Sequence, residues 1–556
     1  MNIKNVLANA ITLKIDGANF ENLIIESISA DKGDYSLPCF SFAKVLKVNP
    51  ASIAAEIQAS LSACNIIEKT EVMGGYLNFF LNKEKIAEEI LHGFSATDFF
   101  TQEGNGKTVL IDYCSPNLAK FLHIGHLKST ITGESLARLF EQCGYTVKRL
   151  NFTGDYGTPF GKIIGGLMKW GNIEDVNARG NDALQEYYVK FNQAEAEDES
   201  YTQLARDIFK KIEEKDAEIY PLYELVIRIG FKSLTETLDL LGIKFDDNRG
   251  EMYYNQLVPQ ALAELESKGL LKDSQGAKIV ELGEEMPPAV IIKSDGTTLY
   301  ITRDICAGLD RFREYNFDKL IYVTDVSQIL HFKQLFATLE LMGCDFAKNM
   351  EHTAYGRLSL PDGKIASRRG KQAVLVDLLE FAQNKAKEII ADRTFTIENP
   401  EDVAKKVARA VLNFSVLKTE RIKDGVFDVE KAFSFEGETA PYMQYTFTRL
   451  ESILRKHKET DVQPNYSCFE ENAFELIKYI NDFSATIGLA VEKRDASIVG
   501  RRVMDMCKAF NKMYTVCKIL DGNPETTKAK VNLVKALRDT LKVGFNIMCI
   551  DTIKEM

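Results

Sequence analysis

Several features that would place the chain in a membrane or an oxidising compartment are missing from its 556 residues. No run of about 18 apolar residues occurs, so we expect no membrane-spanning helix. Residues 1–20 lack a basic segment followed by an uninterrupted apolar one, which predicts no secretory leader. The ten cysteines include no C-x-x-C pair, which favours buried, reduced thiols over a zinc site. We therefore expect a soluble protein of the cytoplasm.

The composition is that of a folded, globular protein, with 45% hydrophobic and 27% charged residues. Its length predicts about three domains. The net charge of −11 argues against a general nucleic-acid binder. Residues 401–556, however, hold 25 Lys and Arg against 23 Asp and Glu, a balance of +2 that leaves −13 for residues 1–400. We therefore expect any RNA contact to involve the carboxyl-terminal third.

The hydrophobic pattern divides the chain into three predicted domains. Residues 1–98 mix strand-like runs, such as Leu23–Ile25, with a helical stretch near Ile53–Cys64, and predict a small α+β domain. Residues 99–385 alternate β-prone and helical segments, which predicts an α/β domain with a doubly wound parallel sheet. Residues 386–556 carry apolar side chains at helical spacing, which predicts an all-α bundle.

The predicted sheet of the middle domain has two halves. The first contains strands in VLIDY from Val109 and in TVKRLNF up to Phe152, and the second contains three strand–loop–helix blocks that start near Ala289, Lys319 and His352. Between them, residues of about 170–243 are helical and rich in charge, which predicts a helical insertion. Turn residues at 294–296 and 361–363 predict hairpins.

The stretch VLIDYCSPNLAKFLHIGHLKSTITG, from Val109, predicts a strand, a loop and a helix. His123 and His126 flank Gly125 where the helix begins, and a helix amino terminus favours an anionic phosphate. Gly125 has no side chain, so a base or ribose could lie against its backbone. The alternative is that both histidines only cap the helix. The nearby GNGKT is not a phosphate-binding loop, because position 101 is threonine and a strand follows.

The strings SPNLAKFLHIGHLKSTITG and NFTGDYGTPFG closely resemble the signature of class I aminoacyl-tRNA synthetases, specifically the arginyl-tRNA synthetases. The resemblance implies a Rossmann-like catalytic domain of the HIGH type. It also implies ATP-dependent ligation of L-arginine to tRNA(Arg) through an arginyl-adenylate, with release of AMP and pyrophosphate. Mg²⁺ would accompany ATP through its phosphates. The short insertion has no β-barrel pattern, so we expect no editing domain.

The resemblance assigns ATP binding and phosphate neutralisation to two groups of residues. The first comprises His123, Gly125, His126 and Lys120, the lysine that precedes the HIGH motif. The second lies in KIASRRG, which occupies the position of the KMSKS loop but departs from its pattern, and comprises Lys364 and Arg368. For Arg368 or its neighbour Arg369, the alternative is a solvated basic turn.

Selection of arginine requires carboxylates that match a planar guanidinium fork. In the family, the positions of Tyr300 and Asp304 in YITRD read the arginine side chain, assisted by the position of Glu251 in RGEMYY. Asn117 and Gln328 match positions that hold the amino and carboxylate ends of the substrate. For Glu251, an ordinary exposed glutamate is the alternative. Lysine is the main competing amino acid, but its compact ammonium cannot bridge these groups as a fork does.

The outer domains resemble tRNA-contacting parts of the same family. GDYSL and GGYLNFFL resemble strings of the amino-terminal extension that touches the tRNA elbow, with a plain folding module as an equal alternative. EGETAPYMQYTFTRLESILRK resembles the anticodon-binding bundle, where we expect tRNA contacts from Tyr442, Arg449, Arg455 and Lys456. Lys405, Lys406, Arg501 and Arg502 are further basic candidates. For aromatic residues such as Tyr442, burial in the bundle core is the alternative.

The bundle and the intact motifs argue against two other functions. One is another nucleotidyl transferase with an HxGH motif, and the other is a non-catalytic, tRNA-binding relative that keeps the fold. The resemblance further implies that arginine activation waits for tRNA. We expect a monomer.

Overall fold

The computed structural model describes residues 1–27, 29–99, 102–361, 374–391 and 398–554. The helices are α1 Ile3–Ala10, α2 Phe20–Leu23, α3 Phe40–Leu46, α4 Pro50–Ala59, α5 Lys83–Leu91, α6 Ile124–Gln142, α7 Thr158–Trp170, α8 Ile173–Arg179, α9 Asn181–Glu197, α10 Ser200–Glu213, α11 Tyr220–Leu241, α12 Glu251–Asn255, α13 Val258–Ser267, α14 Tyr300–Tyr315, α15 Ile329–Leu341, α16 Leu375–Ala391, α17 Pro400–Leu417, α18 Val429–Ala432, α19 Ala440–Lys456, α20 Glu471–Asn481, α21 Phe483–Lys493, α22 Ser497–Val516 and α23 Pro524–Ile547. The strands are β1 Ile25–Glu26, β2 Tyr35–Pro38, β3 Ile67–Met73, β4 Tyr76–Leu81, β5 Thr108–Asp112, β6 Thr146–Leu150, β7 Leu271–Ser274, β8 Ala277–Val280, β9 Ala289–Ile292, β10 Lys319–Tyr322, β11 Met350–His352, β12 Leu358–Ser359 and β13 Gly425–Val426.

The residues form two compact units. The first contains residues 1–99, 446–486 and 502–543, and the second contains residues 100–445, 487–501 and 544–556. The division into three domains at 98 and 385 therefore stays a prediction. Across the part of the chain that the structure describes, every helix is too short or too polar to cross a lipid bilayer.

The first unit contains an antiparallel sheet with the strand order β1-β2-β4-β3. Its strand β4 contains YLNFFL, the last six residues of the GGYLNFFL string. The strand expected at Leu23–Ile25 is wrong in part, because Asn19 caps a helical turn that runs to Leu23 and the strand begins at Ile25. Helices of the carboxyl-terminal third pack on this sheet in the same unit, where the ammonium of Lys478 lies 5.3 Å from the Tyr35 ring.

The second unit contains a parallel sheet with the strand order β11-β10-β5-β6. Its central strands are apolar on both faces, as a sheet covered by helices requires, and Leu110, Ile111, Leu320 and Ile321 are all buried. The predicted strand–loop–helix pattern is therefore confirmed at β5 and β10, and β6 and β11 are further strands of the same parallel sheet. The block at Ala289 is different, because β9 pairs with β8 in a separate antiparallel sheet with β7.

The remaining parts of the second unit are mainly helical. The insertion near 170–243 is formed by α8 to α11, as predicted. Val407, Ala410, Val411 and Phe414 share the buried face of α17, as their spacing predicts. Among the described residues beyond 386, the short strand β13 pairs with β12, which the sequence did not predict. The hairpin at 294–296 is confirmed by the bond from the Gly296 amide to Lys293. Asp362 and Gly363 of the other hairpin lie outside the described residues.

Candidate active site

Three loops meet at the carboxyl edge of the parallel sheet. Asp112 ends β5 and is in register with Leu150 at the end of β6 and with Tyr322 at the end of β10. The loops that follow these strands therefore leave the sheet side by side. Parallel α/β sheets bind ligands at this edge. These loops carry the histidine motif, the NFTGDYG string and Gln328.

The loop after β5 is held in a strained conformation. Cys114 and Ser115 have φ of 71° and 46°, values that side chains other than glycine rarely adopt. The Cys114 amide donates to Ser129 Oγ over 3.0 Å, and the Ser115 amide donates to Asn151 Oδ1 over 3.1 Å. Strain of this kind is maintained where the surroundings fix it and is common at functional sites.

Asn117 continues this loop as a half-buried residue. Its Oδ1 accepts from the Ala119 amide over 2.9 Å, which folds the chain back toward α6. The backbone is also tied to the neighbouring loop, because the Leu118 amide donates to Gly154 and the Gly154 amide donates to Pro116. A side chain at Gly154 would crowd Asn117, with its Cβ 3.3 Å from the Asn117 Cα.

The two histidines cap α6 reciprocally. His123 Nδ1 accepts from the Gly125 amide over 3.1 Å, and His126 Nδ1 accepts from the His123 amide over 3.0 Å. Their ring centroids are 4.0 Å apart. Because each Nδ1 is an acceptor, a neutral ring carries its proton on Nε2. Among the described residues, neither Nε2 has a hydrogen-bond partner. Helix capping thus involves Nδ1 of each ring, as the alternative predicts, and leaves Nε2 available to a ligand.

Both histidines are held neutral by their surroundings. Burial lowers the pKa of His126 to about 3, with a smaller contribution from His123. Burial, and then the charge of Lys120, lowers the pKa of His123. Lys120 itself is exposed at the end of the loop. The pair therefore offers neutral N–H donors beside one exposed cation.

Gly125 leaves room for the His123 ring. A Cβ at position 125 would lie 2.8 Å from His123 Cε1 and 3.0 Å from Nδ1. Any larger residue would therefore push the imidazole away from its capping position. This close approach is an additional reason for glycine besides access for a base or ribose.

Tyr300 and Asp304 converge on a histidine that the sequence analysis did not single out. Both belong to the first turns of α14, and the Tyr300 ring is 4.6 Å from the ring of His331. Asp304 Oδ2 lies 2.8 Å from His331 Nε2. Tyr300 is 51% exposed, so this corner is open to a ligand. Within the described residues Asp304 Oδ1 accepts no hydrogen bond.

Glu251 faces the same helix from α12. Its Oε2 accepts from Arg303 Nε over 3.0 Å, and its backbone amide donates to Thr153. Burial raises the pKa of Glu251 to about 7, and the nearby charges of Asp304 and Asp155 add to the rise while Arg303 opposes it. The structure therefore places Glu251 beside Asp304, partly buried rather than on an exposed edge.

Two buried charged residues complete the site and were not predicted. Asp155 accepts from the Met252 amide over 2.8 Å, and burial raises its pKa to about 6. Arg311 is 1% exposed, pairs with Asp112 over 2.7 Å and lies 5.7 Å from the Phe152 ring. Asp155 stood within the quoted NFTGDYG string. Arg311 follows Asp304 by seven residues, which places both on one helix face, and that spacing could have indicated it.

Of the three remaining predicted residues of the catalytic domain, one lies among the described residues. Gln328 is half-buried and comes directly before α15, three residues from His331. Lys364 and Arg368 lie outside the described residues, so the predicted basic loop is not placed. Among the described residues, no group of three or more His, Cys, Asp or Glu side chains is positioned to hold a metal ion.

The predicted tRNA-binding residues lie on α19. Tyr442 is half-buried in the second unit. In the first unit, Arg449 bonds to Asn511 and lies 5.0 Å from the Tyr514 ring, while Arg455 and Lys456 are exposed. Lys456 borders a cleft of about 310 Å³ together with His457 and Lys458.

Other basic candidates have local partners. Lys406 pairs with Asp402 over 2.6 Å, and the guanidinium of Arg502 lies 4.7 Å from the Tyr479 ring. Arg501 lies 3.3 Å from Ser497 Oγ, whereas Lys405 is exposed.

Known protein families match the chain over nearly its whole length. The model "tRNA synthetases class I (R), catalytic domain" matches residues 90–429. "Arginyl tRNA synthetase N terminal domain" matches residues 1–81, and "DALR anticodon binding domain" matches residues 443–556.

Relatives and solved structures agree with these families. An arginine–tRNA ligase of Halothermothrix orenii is 39% identical over 100% of both chains, and one of Clostridioides difficile is 38% identical over 98% of each chain. The arginyl-tRNA synthetase structure from Thermus thermophilus matches with a TM-score of 0.81 at 23% identity, over 100% of this chain and 99% of the other. That from Plasmodium falciparum matches with a TM-score of 0.79 at 22% identity, over 100% and 98%. The chain therefore belongs to the arginyl-tRNA synthetase family of class I aminoacyl-tRNA synthetases.

Proposed function

We propose that the carboxyl edge of the parallel sheet is the site at which this protein activates arginine. As a family member, the chain ligates arginine to tRNA at the expense of ATP through an aminoacyl-adenylate. One observation carries the assignment of the site: Tyr300 and Asp304 both contact His331 beside the loop that bears the histidine pair. The predicted alternative of an unrelated HxGH nucleotidyl transferase is wrong, because the family models cover all three regions of the chain.

The amino-acid pocket is acidic on the side of α14. Asp304 Oδ1 and the second oxygen of Glu251 are available to accept N–H groups of a guanidinium, and the exposed Tyr300 ring can cover its plane. A neutral amino acid would leave Asp304 Oδ1 and the second oxygen of Glu251 without a hydrogen-bond donor, which costs about 1–3 kcal/mol or more. Lysine could satisfy only part of the set, since its ammonium is a point charge.

The main chain of the substrate is assigned to the neighbouring loops. Asn117 lies on the loop after β5, and Gln328 on the loop after β10, so the two approach the sheet edge from adjacent strands. We assign them to the amino and carboxylate ends of arginine. This placement would bring the carboxylate toward the histidine pair, where it attacks the α-phosphate.

The residues assigned to ATP supply hydrogen-bond donors and positive charge for the phosphates. Attack of the arginine carboxylate on the α-phosphate expels pyrophosphate, and the protein contributes position and charge stabilisation to such a step. The Nε2–H groups of His123 and His126 would donate to phosphate oxygens, and Lys120 would neutralise charge together with Lys364 and Arg368. The donors here are imidazoles and a lysine, so Mg²⁺ would be held by the ATP phosphates and water.

We also propose which parts of the chain contact tRNA. Tyr442, Arg449, Arg455 and Lys456 are assigned to the anticodon side, and residues 1–98 to another part of the tRNA. The division at 98 and 385, the cytoplasmic location and the monomeric state remain predictions.

Charging of total tRNA with each of the twenty amino acids tests the proposed function. We expect ATP-dependent charging with arginine alone, in a fraction of tRNA that matches tRNA(Arg). Charging with lysine at a comparable rate would contradict the acidic-fork pocket. The absence of any charging would favour the non-catalytic alternative, and His123→Asn provides the inactive reference.

A further inference from the structure

Arg303 is a buried cation next to the proposed amino-acid pocket. It is 6% exposed, and its Nε donates to Glu251 Oε2 over 3.0 Å. Its Nη1 lies 3.5 Å from Thr298 Oγ1, and its guanidinium lies 4.7 Å from the Tyr156 ring centroid. Contacts from three different segments therefore fix one orientation of this side chain.

The backbone of Glu251 is fixed as firmly. Its amide donates to Thr153 over 3.0 Å, and a Cβ on the preceding Gly250 would lie 2.5 Å from the Thr153 carbonyl oxygen. The segment can thus approach the NFTGDYG loop only with glycine at position 250. Among the described residues, Glu251 Oε1 accepts no hydrogen bond, whereas Oε2 is engaged by Arg303.

The charges that face Glu251 are mostly negative. Asp304 approaches from α14, Asp155 from the loop after β6, and the phenol of Tyr156 from the same loop. Arg303 is the opposing cation. Two carboxylates and burial therefore disfavour the ionised form of Glu251, and Arg303 favours it.

We propose that Arg303 is a positioning residue for arginine selection, which holds Glu251 as an oriented carboxylate with Oε1 directed to the guanidinium of the substrate. Arg303 does not compete with the substrate, because it occupies Oε2 only. The inference rests on the proposed function, since it requires that Glu251 contacts arginine. Arg303 would therefore affect the binding of arginine through Glu251 and would not affect the binding of ATP.

Steady-state kinetics of arginine-dependent pyrophosphate exchange, with tRNA present, test the proposal. Arg303→Gln should raise KM for arginine by about 10-fold to 100-fold, the range expected for one charge-assisted hydrogen bond, and leave KM for ATP unchanged. Arg303→Lys keeps the charge and should recover part of the loss. Arg313→Gln removes an exposed arginine from the same helix and should behave as the parent protein.

A double-variant cycle separates action through Glu251 from direct contact. If Arg303 acts through Glu251, the pair Arg303→Gln with Glu251→Gln should be no worse than Glu251→Gln alone. Additive losses would overturn the proposal. An unchanged KM for arginine in Glu251→Gln would instead refute the assignment of Glu251 in the proposed function, so the two failures are distinguishable.

The pH profile gives a readout that a purely structural role would not change. Because Glu251 must be ionised, kcat/KM for arginine should fall as pH drops through about 7, the pKa set by burial and its neighbours. Arg303→Gln should move this limb to higher pH, and Glu251→Gln should abolish it. An Arg303→Gln profile that overlays the parent profile would overturn the proposal.

Discussion

The two histidines of the nucleotide loop each use one ring nitrogen for structure and leave the other for a ligand. The capping bonds explain why both rings are neutral donors at physiological pH, since an acceptor Nδ1 and burial both oppose protonation. The sequence could predict the pair, because the motif is contiguous. It could not predict that the capping bonds involve Nδ1 of each ring and leave Nε2 available.

At His123, helix capping and catalysis can be separated by one substitution. Asparagine is a good helix cap but has no group at the position of Nε2. We expect His123→Asn to lower kcat for pyrophosphate exchange by about 100-fold to 1,000-fold while the free energy of unfolding changes by less than about 0.5 kcal/mol. His92→Asn, at an exposed histidine, is the matched control. A large loss of stability in His123→Asn would show that capping dominates.

Asp155 makes the stability of the second unit depend on pH. Its folded pKa of about 6 lies above the ordinary value, so its ionisation at higher pH costs folding free energy. Asp155→Asn keeps an acceptor for the Met252 amide and removes that cost. We expect the variant to unfold at a higher temperature than the parent at pH 8 and at nearly the same temperature at about pH 3, where Asp155 is protonated in both the folded and the unfolded chain. A difference that does not grow between these pH values would contradict the assignment.

Contacts between residues that are far apart in the chain could not be predicted from the sequence. Glu251 and Arg303 are separated by 52 positions, and Asp304 and His331 by 27. Neither pair has a local pattern, because contact depends on how α12, α14 and α15 pack. Arg303 stood within the quoted YITRD string next to Asp304, and His331 lies three positions after Gln328. Nothing in a single sequence distinguishes a ligand-facing side chain from its neighbour.

At the scale of elements, α6 contains two glycines with different roles. Gly125 makes room for the His123 ring, whereas a Cβ at Gly133 would lie 2.2 Å from the Tyr113 ring. We expect Gly133→Ala to lower the free energy of unfolding by about 1–3 kcal/mol through overpacking. Gly125→Ala should reduce activity with little loss of stability, because the ring it displaces is partly exposed. Denaturant titration and pyrophosphate exchange on both variants test this, and equal losses of stability would refute it.

The helix α14 connects the proposed amino-acid pocket to the sheet. Arg311 pairs with Asp112, and Asp112 Oδ1 lies 3.3 Å from Ser115 Oγ in the strained loop. Arg311→Met should therefore lower the free energy of unfolding by about 3–5 kcal/mol, because Asp112 is left buried without its partner. Arg311→Met with Asp112→Asn should lose less than Arg311→Met alone. If the double variant loses the sum of both single losses, the pair is not coupled.

The alternation of strands and helices made the parallel sheet predictable, and its exceptions have physical reasons. β9 is apolar and precedes a turn, which fits either a parallel or an antiparallel strand by pattern alone. Its neighbours β7 and β8 supply an antiparallel edge, so it pairs there. The pairing partner of a short apolar strand depends on distant residues, which local periodicity does not report.

For the whole molecule, the main expectation is that activation of arginine depends on tRNA. The physical hypothesis is that the RNA 3′ end orders the active site, so that only the ternary complex is competent. Pyrophosphate exchange with arginine should therefore be weak without tRNA and rise when tRNA(Arg) is added. Unacylatable tRNA lacking its 3′ adenosine is the control. Exchange at the full rate without tRNA would contradict this expectation.

The chain folds into units that sequence order does not reveal. Residues 1–99 share a unit with residues 446–486 and 502–543, although more than three hundred positions separate them. Helical periodicity predicted the bundle but gave no information on what it packs against. This is the general limit of the sequence here: contiguous motifs and periodic elements could be predicted, and associations between distant segments could not.

Our central proposal is that one site binds ATP through the histidine pair and recognises the arginine side chain through Asp304. Its most direct test is Asp304→Asn, which keeps the size of the side chain and removes its charge. In pyrophosphate exchange with tRNA, we predict that KM for arginine rises by about 100-fold or more, while KM for ATP stays within about two-fold. Asp273→Asn, at an exposed aspartate, is the control. Equal changes in both KM values, or none in that for arginine, would contradict the account.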